Sequence, residues 1–576
     1  MNNKYFFPVL GRAATEDKFK VYSGGINPIS NFRGERIWFH GASVVNGKFC
    51  DNAQRFSHAW TTDTNILTSV KGNCSFIIEN DQRIELHADP IGAALLFSYV
   101  SKDIVAFSAD LRHLRDWLKE ECSIKVTKSC FYQSMLIAIN DGYFNKSSYV
   151  EIQALPSSKF VHTAGRTYDI RDYGLEEFLQ NRKKVPYAKQ LEEAHYDLVQ
   201  TAKAVADAGN IQKIAHLTGG FDSRLAVSAL IAAGRVDDFY MFTTGRPGTI
   251  DFDTARNLAG VMGLKIGDDS GLFLKENPQS IYEDYAWQAD ETLGMLPSGP
   301  IHRGYGRRRD PLIVSGGYGE CYRGYFLGAI DKPIEILSNL IWRIHPRSDD
   351  RRSLSSQDVQ RELDDLLVRY IKERLKNGWS YYDALQLLYI QHKNRYFVGQ
   401  TTSNVIKFSS RIDTLYSVAG ISAAYALSDP ERSDRKLMFD LMQSFSPQIA
   451  RLPFGSDSWP ASLGAKLLEW PSEIPPSRQS EWRTPLPPQS WANRIPKAPA
   501  TVNRAKELGA PLWLVSHLDE GRKAIRNNID KFELYYKYFN IESIRQLMQK
   551  ENLNRPEMRS VYSLVFALQW LNGHLD

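Results

Sequence analysis

The chain has 576 residues and a formal net charge of +5, with 43% hydrophobic and 24% charged residues. This is an ordinary globular composition. The charge is too weak and dispersed to argue for a nucleic-acid partner, and no stretch approaches the apolar length of a membrane span. Five cysteines, odd in number and without C-x-x-C spacing, argue against a disulfide framework or a zinc site and fit a reducing compartment. The first residues lack the apolar core of a signal peptide, so a cytoplasmic protein is expected. Arg307-Arg308-Arg309 and Arg351-Arg352 read as solvated loops rather than a binding stripe.

Residues 1–180 read as short strands joined by turns. Ser75-Phe-Ile-Ile-Glu and Arg83-Ile-Glu-Leu-His-Ala are two of them, with Asn80-Asp81-Gln82 as the hairpin signal between. Strands at 94–100 and 104–108 and a helix at 110–119 follow. From Tyr187 the pattern turns to helices alternating with short strands, as a parallel sheet requires. A domain is expected over 187–470. Eight prolines between 471 and 499 predict a linker or extended wrap over 471–500. Residues 501–576 regain helical periodicity, with Leu514, Leu518, Phe532, Tyr535, Leu547, Leu564 and Leu568 as core.

The most informative stretch is Lys213–Gly234. Ile214, Ala215 and Leu217 form a buried strand, and Gly219 and Gly220 a tight turn. Asp222 and Ser223 then open a helix carrying Leu225, Ala226, Ala229 and Ala233 on one face. A helix start behind a glycine turn is suited to an anion. It is not a Walker loop, because no Lys follows the glycines. An ordinary strand–helix turn is the bland alternative. Pro311–Tyr325 repeats the arrangement: a strand, the turn Ser315-Gly316-Gly317, then the acid Glu320. Met241 and Phe242 end another strand and serve a ligand or the core equally well.

Thr218-Gly-Gly-Phe-Asp-Ser223 resembles the pyrophosphate loop S-G-G-x-D-S of the asparagine synthetase superfamily, with Thr in place of the first Ser. Ser315, Gly316, Glu320 and Gly324 are similar to that family's S-G-x-G-x-D-E-x-x-x-G loop, with Glu in place of Asp. Asp251-Phe-Asp-Thr-Ala resembles its D-x-x-x-A helix. Gly72-Asn-Cys-Ser-Phe, Asp89-Pro90-Ile91-Gly92 and Phe107-Ser-Ala-Asp-Leu follow the order of its N-terminal glutaminase-type domain. The likeness covers about residues 70–115 and 187–460. It implies an α/β protein with a degenerate Ntn-type α+β domain ahead of a parallel-sheet ATP-pyrophosphatase-type synthetase domain. It also implies an ATP site from Leu217, Thr218, Gly219, Gly220, Asp222, Ser223, Phe242, Ser315, Gly316 and Gly317, with Mg²⁺ on Asp222 and Glu320.

Working glutaminases of this class use a Cys at position 2. Here position 2 is Asn, so glutamine hydrolysis is not expected, a departure shared by β-lactam synthetases and lasso-peptide cyclases. Cys50 and Cys74 read as packing residues. Arg395 aligns with the Arg of the family's D-D-R-x-x-M segment and lies three residues from His392, on one face of a helix. The Tyr–Glu base of the β-lactam synthetases has no counterpart. Tyr318 with His392 is the possible substitute, against the bland reading of a packed Tyr and a surface His. Lys436 and Lys466 match the family's transition-state Lys by order alone. Arg451–Pro460 looks like a substrate-side loop.

The expected function is AMP-forming amide ligation. ATP would activate a carboxylate, and an amine of the same or another small molecule or peptide would then attack it. An amidotransferase using ammonia, and a nucleotide-binding scaffold without catalysis, are the alternatives. The sequence is silent on oligomeric state.

Overall fold

The structure, a computed structural model, describes residues 7–61, 63–243, 247–267, 281–295, 311–326, 344–345, 349–406, 409–456, 458–480 and 499–573. It is a mixed α/β protein with two antiparallel sheets and one parallel sheet. The expectations for Arg307–Arg309 and for positions 2 and 3 fall outside the described residues.

The N-terminal part supplies β1 (Val9–Arg12), β2 (Lys20–Tyr22), β3 (Ile29–Ser30), β4 (Arg36–Val45), β5 (Lys48–Cys50) and β6 (Val70–Glu79). It continues with β7 (Ile84–Ala88), β8 (Phe97–Val100), β9 (Val105–Ser108), β10 (Ile152–Ala154), β11 (Lys159–Ala164) and β12 (Thr167–Asp172). One sheet runs β10-β8-β9-β1-β2. The other runs β12-β11-β7-β6-β4-β3, with β5 on β4. Side chains alternate between the faces of a strand, and β6 uses both. Ile77 points into a core shared with Leu10 and Phe107 of the opposing sheet. Phe76 and Ile78 point the other way, against Phe56 and Trp60. The two sheets therefore face each other, and the helix Ala53–Ala59 covers the outer side of the second.

The parallel sheet is built from β13 (Lys213–His216), β14 (Tyr240–Phe242), β15 (Lys265–Gly267), β16 (Leu312–Ser315), β17 (Ser410–Asp413) and β18 (Arg478–Ser480). Its order is β17-β16-β13-β14-β15-β18. The chain enters at β13, moves out through β14 and β15, then returns to the other side of β13 with β16 and β17. The order reverses between β13 and β16, and in open parallel sheets ligands bind beyond the strand C-termini at such a switch point. The two glycine turns picked out in the sequence follow those two strands.

Within 471–480, the described part of the expected linker or extended wrap, Arg478–Ser480 pairs in parallel with β15 as an edge strand. Prolines at 475 and 476 precede it, and an edge is where a Pro-flanked strand is tolerated. One expectation is corrected here. Arg351, expected in a solvated loop, is buried, and Arg352 donates from Nε to Gln360 Oε1 at 2.9 Å. No described helix is long and apolar enough to cross a membrane.

Candidate active site

The first loop is shaped by its own hydroxyls. The N–H of Thr218 donates to Ser223 Oγ at 3.0 Å, the two hydroxyls lie 2.9 Å apart, and the N–H of Gly220 donates to Thr218 Oγ1 at 3.2 Å. Thr at the first position thus performs the turn-closing role that its hydroxyl allows. The helix Phe221–Ala232 begins here without a side-chain cap. Its first amide groups and positive dipole end meet the loop, a favourable setting for an anion. Leu217 is buried, and its N–H donates to Phe242 O at 2.8 Å.

The second loop lies against the first. A Cβ on Gly316 would fall 2.6 Å from the carbonyl of Asp222, and one on Gly319 would fall 2.3 Å from Asp222 Oδ1. Glycine at these positions lets the two loops touch. Gly317 lies equally close to the Asp413 carboxylate. Ser315 Oγ accepts from Arg411 on β17 at 3.1 Å.

Asp222 and Glu320 converge on one guanidinium. Arg323 donates from Nε to Glu320 Oε2 at 2.9 Å and from Nη2 to Oε1. That same Nη2 lies 3.7 Å from Asp222 Oδ2. Asp222 Oδ1 is buried and has no hydrogen-bond partner among the described residues. Burial and the neighbouring Glu320 push the Asp222 carboxyl up to about 7, opposed by Arg323 and Arg435. Burial works against the Arg323 cation, but Asp222 and Glu320 outweigh it and raise its pKa. A carboxylate crowded by a second acid and left with an unpartnered oxygen suits a divalent cation. Among the described residues no group of three or more His, Cys, Asp or Glu is arranged for a metal, so the site offers a pair of protein carboxylates.

A third segment lies over the first loop. The N–H of Gly455 donates to Gly219 O at 3.1 Å, and Asp251 Oδ1 stands 2.8 Å from where a Gly219 Cβ would be. Buried Arg224 holds this segment from below, donating to Leu452 O at 2.9 Å and to Pro453 O. Its guanidinium lies 4.0 Å from the centre of the Phe454 ring. The Arg451–Pro460 segment is thereby brought to the loop.

Five expected site residues have other surroundings. Phe242 is 4% exposed and packs with Ile214, Ile313 and Val405, so its ring gives no open face to a nucleotide. Met241 is fully buried in the main core. Tyr318 is 2% exposed, with φ of +77°, a conformation costing a bulky residue about 1–3 kcal/mol. Its ring packs 4.8 Å from Tyr416, and its hydroxyl has no partner among the described residues. Burial holds that phenol well above its ordinary pKa, so it stays protonated and is not a ready base. His392 Nδ1 accepts the Phe144 N–H at 3.2 Å, and burial keeps the ring neutral. Arg395 is fully buried and donates to Gly92 O at 2.7 Å and Leu155 O at 3.0 Å. His392 and Arg395 fasten the N-terminal part and do not reach the two acids.

The lysines suggested by order also lie apart from the acids' contacts. Lys436 pairs with Asp440 at 2.8 Å, and Lys466 is exposed. Three arginines were missed: Arg323, Arg411 and Arg435. Arg323 stands three residues after Glu320, a spacing that permits an ion pair, and this was the available signal. Arg411 and Arg435 gave none. Neither any protein-family model nor any curated protein gives a significant match to the chain.

Proposed function

We propose that the protein is an ATP-dependent, AMP-forming amide ligase. The observation that carries this reading is the meeting of two glycine turns at the sheet's switch point, which brings Asp222 and Glu320 to one cationic group. In this reading Thr218, Gly219, Gly220 and Ser223, with the helix start behind them, bind the β,γ-phosphates. Ser315, Gly316 and Gly317 form the facing wall. Asp222 and Glu320 would hold Mg²⁺, to which Asp222 Oδ1 brings a lone pair without a hydrogen-bond partner among the described residues. Bound there, the cation would offset charge on the departing pyrophosphate.

The substrate carboxylate attacks the α-phosphorus of ATP, the α–β phosphoanhydride bond breaks, and pyrophosphate stays on the first loop. An amine then attacks the acyl-adenylate, releasing AMP and forming an amide. The protein's contribution is orientation and fixed positive potential rather than a covalent step. The antiparallel sheets are proposed to be a glutaminase-type domain without that activity, and the parallel sheet an ATP-pyrophosphatase-type domain. Burial raises the pKa of Cys50 to about 12 and that of Cys74 well above the usual thiol range. Neither thiol is a nucleophile at neutral pH.

AMP and pyrophosphate release from Mg-ATP, with pooled cell metabolites and with or without ammonium, tests the reading. Substrate-dependent AMP is expected from the native chain and not from Asp222→Ala. ADP and phosphate in its place would overturn adenylation. AMP only with ammonium would assign the amidotransferase route.

A further inference from the structure

Arg323 occupies the position between Asp222 and Glu320 that the proposed reading gives to a divalent cation. Its guanidinium grips Glu320 with two nitrogens, and one of these also approaches Asp222. The side chain is 18% exposed, which leaves it a way out. The backbone on either side of it is held. The N–H of Gly324 reaches Arg432 O at 3.4 Å, and Gln386 Nε2 donates to Cys321 O at 3.0 Å. The turn bearing Glu320 is thereby fixed while the guanidinium at its end can change partner. Lys393 also lies within electrostatic reach of Glu320 but is committed to Asp141.

Both Glu320 oxygens are engaged by Arg323, and a divalent cation drawn to that carboxylate competes with the guanidinium for it and repels it. Whichever leaves the acids is next to the loop that suits an anion. Guanidinium is well shaped for phosphate, which it binds through two parallel hydrogen bonds. We infer that Arg323 is a displaceable counter-ion. It neutralises the two acids while the cation is away, and cation binding releases it to become a ligand of the pyrophosphate. The inference rests on the proposed reading of the two loops and goes further, in that phosphate affinity becomes coupled to the cation through a single side chain. The coupling free energy then belongs to Arg323 and disappears with it.

The test uses the full chain and needs no turnover. Mn²⁺ affinity, measured without nucleotide by electron paramagnetic resonance, is expected to rise about tenfold in Arg323→Gln, the scale of one charge-assisted hydrogen bond removed as competitor. With Mn²⁺ saturating, inorganic pyrophosphate affinity measured by calorimetry is expected to fall about tenfold in the same variant. In metal-free buffer Glu320→Gln is expected to bind pyrophosphate more tightly than the native chain, because its Arg323 is already released. That gain should vanish in the Arg323→Gln, Glu320→Gln double variant, which separates the released guanidinium from the mere loss of a negative charge. Arg323→Lys keeps the charge without the fork and serves if Arg323→Gln fails to fold; it should compete with Mn²⁺ but bind pyrophosphate less well. Unchanged or weaker Mn²⁺ binding in Arg323→Gln overturns the inference, as does a gain in Glu320→Gln that survives in the double variant. AMP formation with unaltered Mn²⁺ affinity in Arg323→Gln would remove this inference and leave the ligase. The expected affinities without AMP would do the reverse.

Discussion

Asp89 is 1% exposed and accepts three hydrogen bonds. They come from the N–H groups of Ala93 and Ala94 at 2.9 and 2.8 Å and from Tyr416 Oη at 2.7 Å. Burial outweighs these bonds and pushes its carboxyl up to about 6. The folded chain then keeps a proton that the unfolded chain gives up, so stability falls as pH rises between about 4 and 6. A shift of roughly two units makes this fall on the order of 3 kcal/mol. Asp89→Asn removes the titration. Urea unfolding at pH 4.5 and 6.5 should show the native chain losing more stability than the variant over that interval, and parallel losses would contradict it. The sequence identified Asp89 as the acid of a turn. It carried no sign of Tyr416, because nothing local connects two positions so far apart.

Between Tyr389 and Gly399 the helix is wound with i→i+5 bonds, as in Asn394 N–H to Tyr389 O. His392 and Arg395 still turn the same way: His392 accepts from the Phe144 N–H, and Arg395 donates to neighbouring Asn145 Oδ1 at 3.4 Å. Arg395 also holds the carbonyls of Gly92 and Leu155 there. Arg395→Lys keeps the charge and loses the fork. It should lower stability by about 2–3 kcal/mol, measured as a shift in the denaturant midpoint, while the ATP affinity that the proposed function requires stays near that of the native chain. A large loss of ATP affinity at unchanged stability would return Arg395 to the site. The two glycine turns were legible because strand, turn and helix follow one another within about a dozen residues. Arg323 was not, because its meeting with Asp222 depends on two strands becoming neighbours.

One hydrophobic core runs from Val9 in the first sheet to Trp570 near the other end. The helix Arg555–Asn572 buries Leu564, Val565, Phe566 and Leu568 completely. Tyr562 Oη donates to Gln288 at 2.9 Å, and Lys128 Nζ donates to Trp570 O at 2.6 Å. The described residues 501–573 are therefore part of the body. The sequence marked their core positions by periodicity, but periodicity does not say which surface a helix covers. Ending the chain at residue 500 would expose these contacts, each large side chain being worth about 1.5–3 kcal/mol. The shortened chain should aggregate or bind a hydrophobic dye; a soluble product with the native melting temperature would contradict this.

The hydrogen bond from Tyr416 to Asp89 joins residues 327 apart in the chain. Loop closure over that distance is entropically costly, so the contact is expected to form after nearer ones, on the native side of the rate-limiting step. Damage there should shorten the lifetime of the folded protein and leave the speed of refolding nearly unchanged, which stopped-flow unfolding and refolding of Tyr416→Phe would show.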